Sequence, residues 1–149
     1  MSIWQLAQLN IGRMIAPLGD PAMEAFVAEI DAVYAKADAA PGFVWRPLSD
    51  EAGQRPWDDH TLVNLSVWQD LQSLQAYVYH QADHVAIMRQ RKRWFLPMRT
   101  PHLVLWWVAG GHQPTEIEAA WRLEQLAAHG PTPLAFTAQV PFAPPRRGD

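Results

Sequence analysis

The sequence predicts an α+β chain, ordered β-α-β-β-α-β with an extra C-terminal helix. Three observations carry this. Short stretches alternate or run apolar at strand length, longer stretches repeat apolar residues at three and four, and proline or glycine marks most junctions. This order is the split βαβ, ferredoxin-like plan: a four-stranded antiparallel sheet with helices on one face.

Ile3 to Ile11 reads as the first strand, with Trp4, Leu6, Gln8 and Asn10 on one side. Asp20-Pro21 then starts a helix, since aspartate caps and proline suits the first helical position. Met23, Phe26, Val27, Ile30, Val33, Tyr34 and Ala37 form its apolar stripe, and Pro41-Gly42 follows its end. Gly42 to Leu48 is a second strand, placed at an edge or terminus by Pro47. Ser49 to His60 is a polar loop, long for a hairpin: either a functional lid or, the favoured reading, a surface loop with Trp57 folded back on the core. Thr61 to Trp68 is the third strand.

The chain turns over at Trp68-Gln69-Asp70 and continues as a helix through Phe95, with no proline or glycine to interrupt it. His102 to Ala109 is the fourth strand. Thr115 to His129 is the extra helix, opened by Thr115 and Glu118 at capping-box spacing and closed by Gly130-Pro131. Leu134 to Val140 offers a short strand or arm. The domain is expected to span residues 1–136, with a proline-rich tail at 137–149 whose last residues are disordered.

Apolar side chains fall on both faces of the strands, for example Val104 and Trp106 against Leu103, Leu105 and Trp107. Helices on one face only would leave the other open, and an open apolar face calls for a partner. The expectation is a homodimer in which two sheets close face to face, a dimeric α/β barrel.

Composition narrows the function. The 149 residues are 49% hydrophobic and 18% charged, so the chain folds around a core. A formal net charge of −3 gives no general attraction to nucleic acid or to an anionic membrane. The absence of cysteine removes disulfides, thiolate metal sites and cysteine nucleophiles. It fits a cytoplasmic location, as does an N-terminus without the pattern of a signal peptide. No apolar run is long enough to span a membrane.

The candidate site residues come from the central helix. At about 100° per residue, His84 shares an arc with Val85, Ile87, Met88, Trp94 and Phe95. Arg91 points into that arc, and Tyr77 and His80 join it if the helix is continuous; Arg89 and Arg93 point away. Histidine and arginine on an apolar face either find structural partners or line a cavity, where they serve as proton carrier and anion binder. His80 and His84 have metal-chelating spacing, but the set is incomplete with only Asp58-Asp59-His60 nearby, and no metal is expected. Gln8 and Asn10 share a face of the first strand, and Asn64, Ser66 and Trp68 share one of the third. Both sets suit a ligand or an interface.

The segments LAQLNIGRMIAPLGDPAMEAFV, PGFVWR, LVNLSVW, AYVYHQADHVAIMRQRKRWF, LVLWWVAGGHQPT and HGPTPLAF resemble a bacterial domain-of-unknown-function family over roughly Trp4 to Phe136. That family is similar to the dimeric α/β-barrel superfamily, which includes antibiotic-biosynthesis and haem-degrading monooxygenases. The haem-degrading pattern has an asparagine on the first strand, a tryptophan in the central helix and a histidine ten residues on. Asn10 matches the first, but Tyr77 and Ile87 occupy the other two positions. The resemblance therefore implies the cofactor-free branch, which acts on polyphenolic rings. The resulting expectation is a monooxygenase-like enzyme with His84, Arg91 and Tyr77 as catalytic residues. Asn10, Asn64, Trp68, His80, Trp94 and Trp106 would bind a hydrophobic, aromatic substrate between helix and sheet. No cofactor is expected. The alternatives are a non-catalytic binding or structural dimer, and a haem-binding protein using His84 or His80.

Overall fold

Strand β1 (Trp4–Met14) is the centre of one antiparallel sheet in a computed structural model that describes residues 3–48, 55–82 and 93–146, without the side chains of 80–82. One edge of β1 pairs along its length with β3 (Thr61–Trp68), and β2 (Phe43–Trp45) lies outside β3. The other edge pairs with β5 (Leu103–Ala109) from Trp4 to Asn10, and with β4 (Phe95–Leu96) at Arg13 and Met14. Three α-helices accompany these five strands among the described residues: α1 (Glu24–Asp38), α2 (Leu71–Ala82) and α3 (Glu116–His129).

The local signals act as expected at several ends. The Asp20 carboxylate accepts from the Ala22 amide at 2.8 Å and opens a single 3-10 turn, Pro21–Met23, ahead of α1. The Thr115 hydroxyl accepts from the Glu118 amide at 3.1 Å at the start of α3. The Glu118 side chain does not complete the capping box, because it serves Trp106 and His112 instead. Trp57 packs back on the core, as the sequence suggested.

Two expectations about order change. The helix does not run through Phe95: residues 93 and 94 are helical, and Phe95 leaves as a strand opposite Met14. Its ring lies over Gly12, where a Cβ would sit 2.8 Å from the ring, and edge-on to Phe26 at 5.2 Å. These tertiary contacts override an uninterrupted helical sequence. The first strand correspondingly extends to Met14.

The second change concerns the sheet face expected to lie open. Ala7, Leu9, Val67, Val104 and Trp106 on that face are buried with Ala119 and Leu126 of α3. The extra helix thus covers the surface from which a face-to-face dimer was inferred. The opposite face packs Leu6, Trp68, Leu105 and Phe136 with Leu74 of α2. Each fully buried leucine or phenylalanine there contributes roughly 1.5–3 kcal/mol. A third cluster, Met14, Met23 and Trp94, closes the end near β4.

The C-terminal segment is part of this packing. Phe136 exchanges two backbone bonds with Leu105, at 2.8 and 2.9 Å, and so covers the outer edge of β5. Further on, the Trp107 indole donates to the Phe142 carbonyl at 2.8 Å. No helix among the described residues is long and apolar enough to cross a membrane.

Candidate functional site

Register builds the site. Gln8 pairs with Ser66 and Asn10 with Asn64, so period-two alternation puts four polar side chains in one patch of the sheet. The Gln8 amide nitrogen donates to the Ser66 hydroxyl at 2.7 Å and to Asn64 Oδ1 at 2.8 Å. The Trp68 indole N–H donates to the same hydroxyl at 2.9 Å. Gln8 and Ser66 are the buried polar residues of the described core. Their mutual bonding is what makes their burial tolerable.

Aromatic groups stand beside this patch. The Tyr77 ring packs on Trp68 with centroids 5.0 Å apart and 30° between planes, and Phe43 meets Trp68 edge-on at 5.4 Å. Between patch and helices lies a cavity of about 320 Å³. Its floor is Gln8, Asn10, Asn64, Ser66 and Trp68; Tyr34 and Ala37 of α1 and Leu74, Tyr77 and Val78 of α2 also line it. It continues to the outer edge of β3, because β2 reaches only Val67 and Trp68.

Charge at the rim is balanced. Arg46 donates to both oxygens of Asp38, at 2.7 and 2.9 Å, and its guanidinium lies 4.6 Å from the centre of the Tyr34 ring. Those hydrogen bonds hold the Asp38 carboxyl below its ordinary range, against a smaller opposing effect of burial. Arg55 pairs with Glu116 at 3.0 Å. Burial raises the Tyr77 phenol above its ordinary value, helped by Tyr34 and Asp38. Its hydroxyl stays protonated at neutral pH, where it donates to the Val33 carbonyl at 3.4 Å.

Six of the residues singled out in the sequence meet here: Gln8, Asn10, Asn64, Ser66, Trp68 and Tyr77. Two others do not line the cavity. Trp94 packs with Met14, Met23 and Phe26, and Trp106 lies on the opposite face, donating to Glu118 at 3.0 Å. His84 and Arg91 lie outside the described residues, as does the side chain of His80. Tyr34, Phe43 and Arg46 were not foreseen. They reach the cavity through a contact of α1 with β2 that no periodicity encodes.

The Asp58-Asp59-His60 cluster has its ligand atoms within 4.8 Å of one another. Asp58 is taken up by Arg13, with 2.7 Å to each oxygen, and by the His60 amide and Thr61 hydroxyl. The arrangement closes the loop before β3.

The lining is therefore suited to hydrogen bonding and ring packing more than to charge chemistry. Among the described residues its titratable groups are two tyrosines and the two paired arginines with Glu116. No curated protein matches the chain, and no solved structure does. A family model described as a domain of unknown function, DUF3291, matches residues 5–149, and the chain belongs to that family.

Proposed function

We propose that this chain binds a small planar, largely apolar ring compound in the cavity between the sheet and helices α1 and α2. We further propose that it acts on that compound as a cofactor-free monooxygenase-like enzyme. The observation that carries the reading is the meeting of Asn10, Asn64, Trp68 and Tyr77 with Gln8 and Ser66 around one space. A polar floor with aromatic walls is the usual make-up of a small-molecule site. The strand order β2-β3-β1-β5, with α1 and α2 sharing a face, supports the ferredoxin-like plan that accompanies this chemistry.

In this reading the ring lies against Trp68 and Tyr77, and the amides orient its oxygen substituents. Tyr77, kept protonated by burial, serves as a donor and not as a base. The phenolic substrate itself supplies all four electrons: with O2 it becomes a quinone, one oxygen atom entering the ring as the new carbonyl and the other leaving as water. A non-catalytic binder is the second reading, and it is favoured by one feature. Among the described lining residues no histidine is present, and the only carboxylate, Glu116, is paired with Arg55.

Titration of tryptophan fluorescence with 2-naphthol tests binding. Saturable quenching is expected, weakened in Trp68→Phe; no saturable change in the wild type contradicts the reading. Oxygen uptake with a panel of naphthalenediols separates the two forms. Turnover lost in Tyr77→Phe supports the enzyme, and binding without uptake supports the binder.

A further inference from the structure

We infer that this cavity also holds the quinone-type product of the proposed oxidation, a neutral ring whose carbonyl oxygen is held by Ser66 and Asn64. This rests on the small-molecule reading above and specifies its ligand class.

Strand β3 presents two unused donors to the cavity, beside the Asn10 amide and the Gln8 carbonyl oxygen. A serine hydroxyl has two lone pairs and one proton. Both lone pairs of Ser66 are in use, one by the Gln8 amide and one by the Trp68 indole. What it still offers is its proton. Asn64 is in the same condition: Oδ1 accepts from Gln8, and its amide nitrogen donates to nothing among the described residues. Asn64 and Ser66 are two apart on β3, so both donors leave the same face of one strand, and both line the cavity. Two adjacent donors call for an acceptor oxygen, and a carbonyl with its two lone pairs matches them.

The rim decides the charge. Arg46 is matched by Asp38 and Arg55 by Glu116. No unbalanced charge among the described lining residues would offset the cost of desolvating a carboxylate or an ammonium group. The Trp68 and Tyr77 rings supply a surface for a flat molecule. A ligand that only donates, such as an amine, leaves both donors of β3 stranded.

Isothermal titration of the full chain with four bicyclic probes tests this: chromone, naphthalene, 2-naphthoate and 2-naphthylmethylammonium. Chromone is expected to bind most tightly. Asn64→Asp keeps the acceptor for Gln8 and replaces the free donor with an anionic acceptor. It should weaken chromone by roughly tenfold or more and leave naphthalene unchanged. Equal affinity for chromone and naphthalene, or an unaltered chromone affinity in Asn64→Asp, overturns the carbonyl assignment while leaving the small-molecule site standing. Binding by none of the probes overturns the site itself. A second measurement needs no variant: the carbonyl stretch of bound chromone. It should lie below its position in hexane, and a band at the hexane position contradicts the donor pair.

Discussion

Gln8 and Ser66 face each other across β1 and β3, with 2.7 Å from amide nitrogen to hydroxyl oxygen, and both are almost wholly buried. Because Trp68 donates to the same hydroxyl, removing it strands two buried donors at once. Each stranded donor costs about 1–3 kcal/mol. Ser66→Ala should therefore lower unfolding stability by roughly 2–4 kcal/mol, read as a reduced urea midpoint at unchanged slope. A loss below about 0.5 kcal/mol contradicts the shared-acceptor geometry.

Gly42 is the second sensitive point. Its φ is +86°, and a Cβ there would collide with the Ser73 side chain at the start of α2. Its carbonyl also accepts from the Gln69 amide at 2.8 Å, joining β2 to the end of β3 beside Trp68. Gly42→Ala should cost about 1–3 kcal/mol from backbone strain alone. Loosening of Phe43 and Trp68 should also appear as changed near-ultraviolet circular dichroism.

Glu118 joins the extra helix to the core. One carboxylate oxygen accepts from the fully buried Trp106 indole, and the other meets His112 at 2.6 Å. Glu118→Gln keeps an acceptor for the indole and should cost little, whereas Glu118→Ala strands it and should cost about 1–3 kcal/mol. Equal melting temperatures for the two variants would contradict this role.

The Asp38–Arg46 pair predicts an acid response. The folded carboxyl ionises below 3.8, the value for an unperturbed aspartate, because Arg46 donates two hydrogen bonds to it. The folded protein thus binds that proton less well than the unfolded chain. The stabilisation is fully present above about pH 3.8 and is lost as pH falls through the lower folded value. Asp38 is substantially exposed, so the effect at neutral pH should stay below about 1 kcal/mol. Asp38→Asn should remove this small stabilisation above pH 3.8, flatten stability against pH below it, and converge with the wild type in acid.

The sequence made the local elements legible wherever a segment carries its own signal. Thr61–Trp68 is a strand at its predicted bounds, and Thr115 caps the last helix as its spacing implied. The polar patch was also readable strand by strand, because Gln8 and Asn10 share one face of the first strand and Asn64, Ser66 and Trp68 one of the third by simple alternation. Facts of long-range packing were not. Nothing local says that Phe95 trades helix for a strand over Gly12, or that α3 turns its Ala119–Leu126 stripe onto the second sheet face. The wheel that grouped Trp94 with a pocket assumed one straight helix, and Trp94 instead closes a cluster at the far end of β1. Arg46 escaped notice because its partner, Asp38, lies across the α1–β2 turn.

The most direct test of the account is a crystal structure of the chain with 2-naphthol. The account predicts electron density for the ring in the cavity against Trp68 and Tyr77, with its oxygen within hydrogen-bonding distance of Asn64 or Ser66. An empty cavity at saturating 2-naphthol, or density for the ring elsewhere on the molecule, would contradict it.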